Sequence, residues 1–263
     1  MLIIKKHILI TLLFFFGIQI SHAQLWKRTR YEAIIITGAS SAFTDLGGAN
    51  SIGTHFVKDI DFQTTRPLIG VGARYKYQEN IAFKFSMIFG YLKAGDYLTT
   101  YPGRENRGII ARTPLLETAV QGEYSIVKER LGRRYTFSHF RGGRNFNIMF
   151  VNTYLFVGFG GIYFSPQVAA YNGAKWKKPT GQAPSSKGKN YSHFSMAFPF
   201  GVGFKYAINR KWKLGLEFGN RYTLTDYLDN HSDIYSKGND SYFFFNINLI
   251  KRLRTARSGL PKF

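Results

Sequence analysis

Four groups of residues in this chain have the types and spacing to do chemistry. His193 lies between Ser192 and Ser195, which is the composition of a lipid-modifying pair at a barrel rim, where the histidine would take the hydroxyl proton. Asp226, Asp229, Asp233 and Asp240 stand near Asn230 and Asn239. Such oxygen donors suit calcium, but the spacing follows no fixed cation-binding loop, and an ordinary solvated or Arg-paired loop has the same composition. Glu32, Glu117, Glu123 and Glu217 could pair for acid–base work as glycosidase carboxylates do. They recur at neighbouring levels with Arg74, Lys76, Lys84, Lys205, Lys213 and Arg221, so mutual neutralisation is the simpler account. The fourth group is Arg130, Arg133, Arg134, Arg141 and Arg144 interleaved with Tyr135, Phe137 and Phe140. Arginine with aromatics is the usual make-up of a protein-binding hot spot.

The remaining candidates are few. The other histidines, His7, His22, His55, His139 and His231, have no metal-ligand spacing, and the chain has no Cys, which removes disulfides, thiolate metal sites and a catalytic thiol. No metal, cofactor or enzymatic activity is expected.

Elements that position these groups follow from period-two alternation. Phe243, Phe245, Ile247 and Leu249 fall on one face, with Asn246 and Asn248 on the other. The stretches Tyr31–Gly38, Ile69–Tyr77, Ile81–Tyr91, Leu116–Ile126, Asn152–Ser165, Phe198–Ile208 and Trp212–Tyr222 supply seven more candidate strands. Each of the regular ones places Phe, Tyr, Ile, Leu or Val on one side and Gly, Ser or charge on the other. A soluble sandwich would carry polar residues on its outer face. An aromatic outer face suits lipid, where a sheet must close because an open edge would leave unpaired backbone groups. The expectation is an all-β, eight-stranded antiparallel transmembrane barrel. No segment is apolar enough for a spanning helix.

Connections fit that expectation. Residues 78–80 and 209–211 are tight turns, whereas 39–66, 93–114, 166–194 and 224–240 are long loops, as in outer-membrane barrels. One connection departs from the pattern. The link 127–151 stands where a short periplasmic turn belongs.

The N-terminus reads as a leader. Lys5 and Lys6 precede the apolar run Ile8 to Ile20, and Ser21-His22-Ala23 is a small-x-small cleavage site, so 1–23 is expected to be a signal peptide and 24–263 an outer-membrane barrel. With the N-terminus periplasmic, nearly all of the excess behind a net charge of +21 falls on the periplasmic side. It includes the link 127–151 and a basic tail, 251–263. Nucleic acid is not the partner of an exported protein. The basic face is expected to hold an acidic periplasmic protein, and the outer-loop Lys175, Lys177, Lys178, Lys187 and Lys189 to meet lipopolysaccharide phosphates and outer-membrane lipid. The inward charges Glu32, Arg74, Glu117, Glu123, Lys205, Glu217 and Arg221 are expected to form a buried ion-pair network filling the lumen. Within it, Glu217 and Arg221 share one face of one strand.

Several motifs run through this framework. Gly38 with Thr44-Asp45-Leu46-Gly47-Gly48, Arg66-Pro67 and Gly72-x-Arg74-Tyr75 come first. Tyr154-Leu155-Phe156, Gly158-x-Gly160 and Phe164-Ser165-Pro166 follow. Pro199-Phe200-Gly201-Val202-Gly203, Glu217, Arg221 and Thr225-Asp226-Tyr227-Leu228-Asp229 complete the set. Together they resemble the PorG-like outer-membrane barrels of the type IX secretion system of the Bacteroidetes, with Thr225–Asp229 as the most specific stretch. The resemblance implies a non-enzymatic barrel that anchors or scaffolds periplasmic components of that machinery. Small porin-like and lipid-modifying barrels are the alternatives. The chain departs from the pattern at Arg107-Gly108-Ile109-Ile110-Ala111-Arg112, where relatives carry an Arg-Asn-Leu-x-Phe-Arg run.

Overall fold

A computed structural model describes residues 25–44, 46, 64–96, 109–129, 151–170, 191–209, 211–230, 239–256 and 260–262. The leader 1–23 lies outside these residues. After a 3₁₀ turn at Leu25–Thr29, ten strands follow: β1 (Tyr31–Phe43), β2 (Arg66–Lys76), β3 (Ile81–Gly95), β4 (Ile109–Ser125), β5 (Val151–Phe164), β6 (Gln167–Ala170), β7 (Phe194–Ala207), β8 (Trp212–Thr223), β9 (Ser241–Thr255) and β10 (Pro261–Lys262). The eight long ones pair antiparallel in chain order, and β1 also pairs with β9, from Tyr31 opposite Leu253 to Phe43 opposite Ser241. The sheet is therefore closed.

Register fixes the tilt. Cross-strand partners traced once around from Tyr31 pass through Tyr75, Phe83, Gly122, Val157, Phe200, Asn220 and Phe243 and return to β1 at Ser41, ten residues on. Stagger of this kind obliges the strands to lean against the barrel axis. The β5–β7 ladder skips from Val157–Phe200 to Gly160–Ala197, at the level of Pro199, which has no N–H to give.

Alternation decides what faces where. Outward side chains form an apolar belt: Ile69 and Val157 are 63% and 66% exposed, and Phe83, Phe85, Phe89, Phe159, Leu214 and Leu249 are exposed with them. Inward side chains are buried, and they divide into a charged layer towards the short turns and an apolar cluster towards the long loops. The cluster contains Ile36, Leu68, Ile88, Leu115, Ile162, Phe164, Tyr242 and Phe244. Inward glycines let large rings lie across the interior. A Cβ on Gly203 would stand 2.2 Å from the Tyr154 ring, and one on Gly219 would stand 2.6 Å from Phe156.

Several boundaries differ from the sequence expectation, beginning with β1, which runs on to Phe43 through the start of the expected loop 39–66. β3 and β4 extend into the expected loop 93–114, and β6, inside the expected loop 166–194, pairs with the start of β4. The reason is a second small core of Leu46, Ala94 and Ala111, with Ala42 and Ile109 packed on it, which these strand ends cover. At the other end, residues 251–255 are not a free tail. They continue β9, and Pro261 and Lys262 fold back on Thr255 and Arg254.

Candidate functional site

The charged layer is built around Arg74. From β2 its Nη1 donates to Glu32 of β1 at 2.9 Å, while Nε and Nη2 donate to Glu123 of β4 at 2.9 and 2.8 Å. A third carboxylate, Glu217 of β8, lies 3.7 Å from Nη2. Lys84 Nζ, on β3, reaches Glu217 at 2.6 Å, and Lys205 Nζ, on β7, reaches Glu123 at 2.6 Å. Tyr154 donates its hydroxyl to Glu217 at 2.5 Å and offers its ring face to Lys205 Nζ at 3.6 Å. Every one of these side chains is buried. A buried charge is tolerated only when paired and hydrogen-bonded, and here each carboxylate has at least two partners.

Beneath this layer the barrel floor is closed by Glu129. Its carboxylate lies 2.5 Å from Lys76 Nζ and 2.6 Å from Lys213 Nζ, and it accepts from Arg252 as well. Lys76 and Lys213 also hold Glu32, at 3.1 and 2.5 Å. Burial alone would raise the Glu129 carboxyl, but the ammonium groups of Lys213 and Lys76 outweigh it and hold the group well below the usual carboxylate range. In the connected network Arg74, Lys76, Lys84, Lys205, Lys213 and Arg252 face Glu32, Glu123, Glu129 and Glu217. Cations outnumber carboxylates at this end.

Glu117 and Arg221 do not belong to that network. They form a separate pair at 3.5 Å, where Arg221 Nη1 donates to Gly219 O at 2.6 Å and the guanidinium lies 4.3 Å over the Phe244 ring. Tyr242 donates to Glu117 at 2.5 Å. Glu217 and Arg221 are thus neighbours on one strand without being partners: Glu217 turns to Lys84 and Arg221 to Glu117. Sequence reasoning assigns Lys76, Lys84 and Lys213 to neutralising the inward carboxylates, whereas it does not single out Arg252, Glu129 and Tyr154 for the network. Arg252 carries the inward parity too, continuing Asn246, Asn248 and Ile250. Both it and Glu129 had been assigned to the periplasmic face.

The long-loop end is covered by Thr225–Asn230. Leu228 is buried in the apolar cluster; its N–H donates to Asp240 Oδ2 at 2.8 Å, and its carbonyl accepts from Thr113 Oγ1 at 2.5 Å. Thr225 O accepts from Asp240 N at 2.9 Å, and Asp229 Oδ2 accepts from Leu46 N at 3.2 Å. Tyr227 stacks on Tyr191 with centroids 4.6 Å apart, and Tyr191 donates to Asn230, whose φ of 60° bends the segment back. Burial, followed by the nearby Asp229 charge, pushes the Tyr191 phenol up to about 12. Thr225-Asp226-Tyr227-Leu228-Asp229 is therefore a folded lid. Sequence reasoning marked the stretch but not this role; its signal was an apolar Tyr-Leu pair inside an acidic loop.

The other candidates find ordinary uses. Asp229 and Asp240 cap backbone N–H groups, as above, while Asp233 lies outside the described residues. His193 Nδ1 stands 3.1 Å from Phe164 O, and Ser192 Oγ accepts from Phe194 N at 3.1 Å. Among the described residues no group of three or more His, Asp or Glu could hold a metal ion. Arg130, Arg133, Arg134, Tyr135, Phe137, Phe140, Arg141 and Arg144 all lie outside the described residues, as do Lys175, Lys177, Lys178, Lys187 and Lys189.

Residues 168–250, from β6 to β9 and including the lid, match a family described as a domain of unknown function, DUF6089. Among curated proteins no relative matches. Solved structures similar to the chain include Neisserial surface protein A, at 10% identity and a TM-score of 0.40 over 84% of this chain and 96% of that one. Ail, the attachment invasion locus protein of Yersinia pestis, is 10% identical with a TM-score of 0.39 over 85% and 98%. Outer Membrane Protein W of E. coli is 13% identical with a TM-score of 0.39 over 85% and 98%. The closed barrel itself rests on this chain's own register.

Proposed function

We propose that this chain is a non-enzymatic outer-membrane barrel that anchors acidic periplasmic components of a type IX secretion machinery. The observation that carries the reading is the charge at the short-turn end. Exposed Lys27, Arg28, Lys128, Lys211, Lys251 and Arg254 surround it, against an exposed Glu79 already bridged to Lys128 at 3.1 Å. The ion network immediately inside has more cations than carboxylates, so the field from the interior has the same sign as the rim. Clustered charge of one sign speeds capture of an oppositely charged partner. The link of 127–151 leaves from this end, rooted by Glu129. Its arginines and aromatics would supply the contact itself.

Two further features support the membrane part. The outward belt of Phe, Ile, Leu and Val has the composition of a lipid-facing surface, and closure leaves no edge strand in hydrocarbon. A lumen crossed by Arg74, Lys84 and Tyr154 and lidded by Leu228 fits an anchor better than a pore. Outer-membrane lipid and lipopolysaccharide are the surrounding partners, and the resemblance in Thr225–Asp229, Glu217 and Arg221 is what points to type IX secretion in particular.

The test is replacement of residues 130–150 by a three-residue turn in the full chain. The barrel should still assemble in the outer membrane, while acidic periplasmic proteins stop co-purifying with it from detergent extracts and secretion of cargo stops. Secretion that survives the swap would sink the proposal.

A further inference from the structure

At the long-loop end, the apolar belt on the outer wall gives way to a row of three polar side chains. Lys93 of β3 is the cross-strand partner of Arg112 of β4, and Arg112 is the partner of Gln167 of β6. Cross-strand partners share one face of a sheet, with Cβ atoms about 5 Å apart. Ala111 and Thr113, on either side of Arg112, are buried in the interior, so the row points out. The Arg112 guanidinium lies over the Tyr91 ring, 4.4 Å from its centroid, and Tyr91 meets Phe89 at 5.3 Å. Lys93, Arg112, Gln167 and Tyr91 are all half-buried, and so reachable from outside.

Height places the row. Lys93 stands ten residues beyond Phe83 on β3. A rise of about 3.4 Å per residue makes that about 34 Å of strand, or about 26 Å along the axis at a tilt of about 40°. The lipid-facing band of an outer-membrane barrel is about 25 Å tall. Phe83, Phe85, Met87 and Phe89 fill it on β3 and are exposed. Tyr91, Lys93 and Arg112 therefore stand where hydrocarbon gives way to headgroups. Tyrosine is common at that level, but two cations and a carboxamide on one face are donors aimed at an anion.

Among the described residues no carboxylate holds Arg112, and no hydrogen bond holds the Gln167 side chain. A guanidinium stacked on a ring keeps its N–H edge available, and that planar fork matches two phosphate oxygens. Lys93 adds a compact charge beside it, and Gln167 adds amide N–H donors. We infer that Lys93, Arg112 and Gln167 form a phosphomonoester site on the outer wall of the barrel, whose ligand is the phosphorylated sugar headgroup of an outer-leaflet lipid. A wall at this depth meets lipid before it meets any soluble protein. The inference rests on the outer-membrane placement proposed above and not on the secretion partner, which engages the opposite end. β6 gains a use as well, because its pairing with β4 is what carries Gln167 to the row.

The experiment titrates the full chain, folded in detergent, with diphosphorylated lipid A in mixed micelles and reads bound lipid by native mass spectrometry. The parent should retain lipid A and bind its dephosphorylated form several-fold more weakly. Arg112→Gln should weaken binding of the phosphorylated form by about five-fold, the worth of one cation at a lipid surface. Adding Lys93→Gln should deepen the loss. Inorganic phosphate at millimolar concentration should displace little of the lipid, and full displacement by it would assign the site to the free anion and overturn the lipid ligand. Equal binding of the two lipid forms would overturn the site, as would an Arg112→Gln variant that binds like the parent. Insertion into phosphatidylcholine vesicles, read by the gel shift on heating, checks that the variants fold and tests the membrane placement separately. A chain that inserts there without discriminating between the lipid forms loses the site alone, and one that does not insert loses the placement too.

Discussion

Lys84 Nζ, on β3, lies 2.6 Å from Glu217 Oε2, on β8, so one ion pair ties opposite walls of the barrel through its interior. Glu217 also receives the Tyr154 hydroxyl and stands 3.7 Å from Arg74. Glu217→Gln leaves Lys84 with a neutral acceptor and Arg74 short of one charge. Breaking a buried pair on one side typically costs about 3–5 kcal/mol. Denaturant unfolding in detergent should show a loss of that size, and unchanged stability would count against the network as drawn.

Glu217 and Arg221 should behave independently. A double-mutant cycle of Glu217→Gln with Arg221→Met is expected to be additive within about 0.5 kcal/mol, as for sites without shared partners. The cycle of Glu217→Gln with Lys84→Met should show strong coupling. Coupling of the first pair as large as the second would place both residues in one cluster.

Glu129 predicts a pH dependence. Its carboxyl is held below its unfolded value, so its contribution is complete above the unfolded pKa of about 4.3 and fades as pH falls through the folded pKa. The stability gap between the parent and Glu129→Gln should therefore be full at pH 7 and narrow below about pH 5. A gap that grew on acidification would mean that the Lys76–Lys213–Arg252 grip is absent.

The lid predicts a separation of stability from conductance. Leu228→Ala removes a buried anchor and should cost about 2–5 kcal/mol. Planar bilayers containing that variant should nevertheless stay silent, because the Arg74 layer still fills the lumen. Ion conductance in the variant would show that the lid, not the ion layer, is the seal.

Much of this architecture is legible in residue order. The alternation of Phe243, Phe245, Ile247 and Leu249 against Asn246 and Asn248 locates β9 and both of its faces, because a closed sheet has only two environments to offer. Parity alone also brings Arg74, Glu123, Lys205 and Glu217 to the interior. Who pairs with whom is not legible, because partners across a lumen are set by the ten-residue stagger. That is why Glu217 meets Lys84, far away in sequence, and not its strand neighbour Arg221. Glu129 escaped because it sits beyond the end of β4, where alternation has ceased and a backbone turn aims the side chain. The Thr225–Asp229 lid escaped for a similar reason. Its order comes from Asp240, Thr113, Leu46 and Tyr191, contributed by four separate stretches of chain.

The seam between β1 and β9 sets a clock on biogenesis. Tyr31 finds its partner in Leu253, so β1 waits for β9 before either has a neighbour on that side. A chain halted anywhere before Ser241 keeps two raw edges, each able to recruit a strand from another molecule. Loop entropy is a minor obstacle, since it rises only slowly with length. The obligation is one of order. The β1–β9 ladder can zip only once every intervening strand is present, so an incomplete chain exposes edges that the finished barrel does not have.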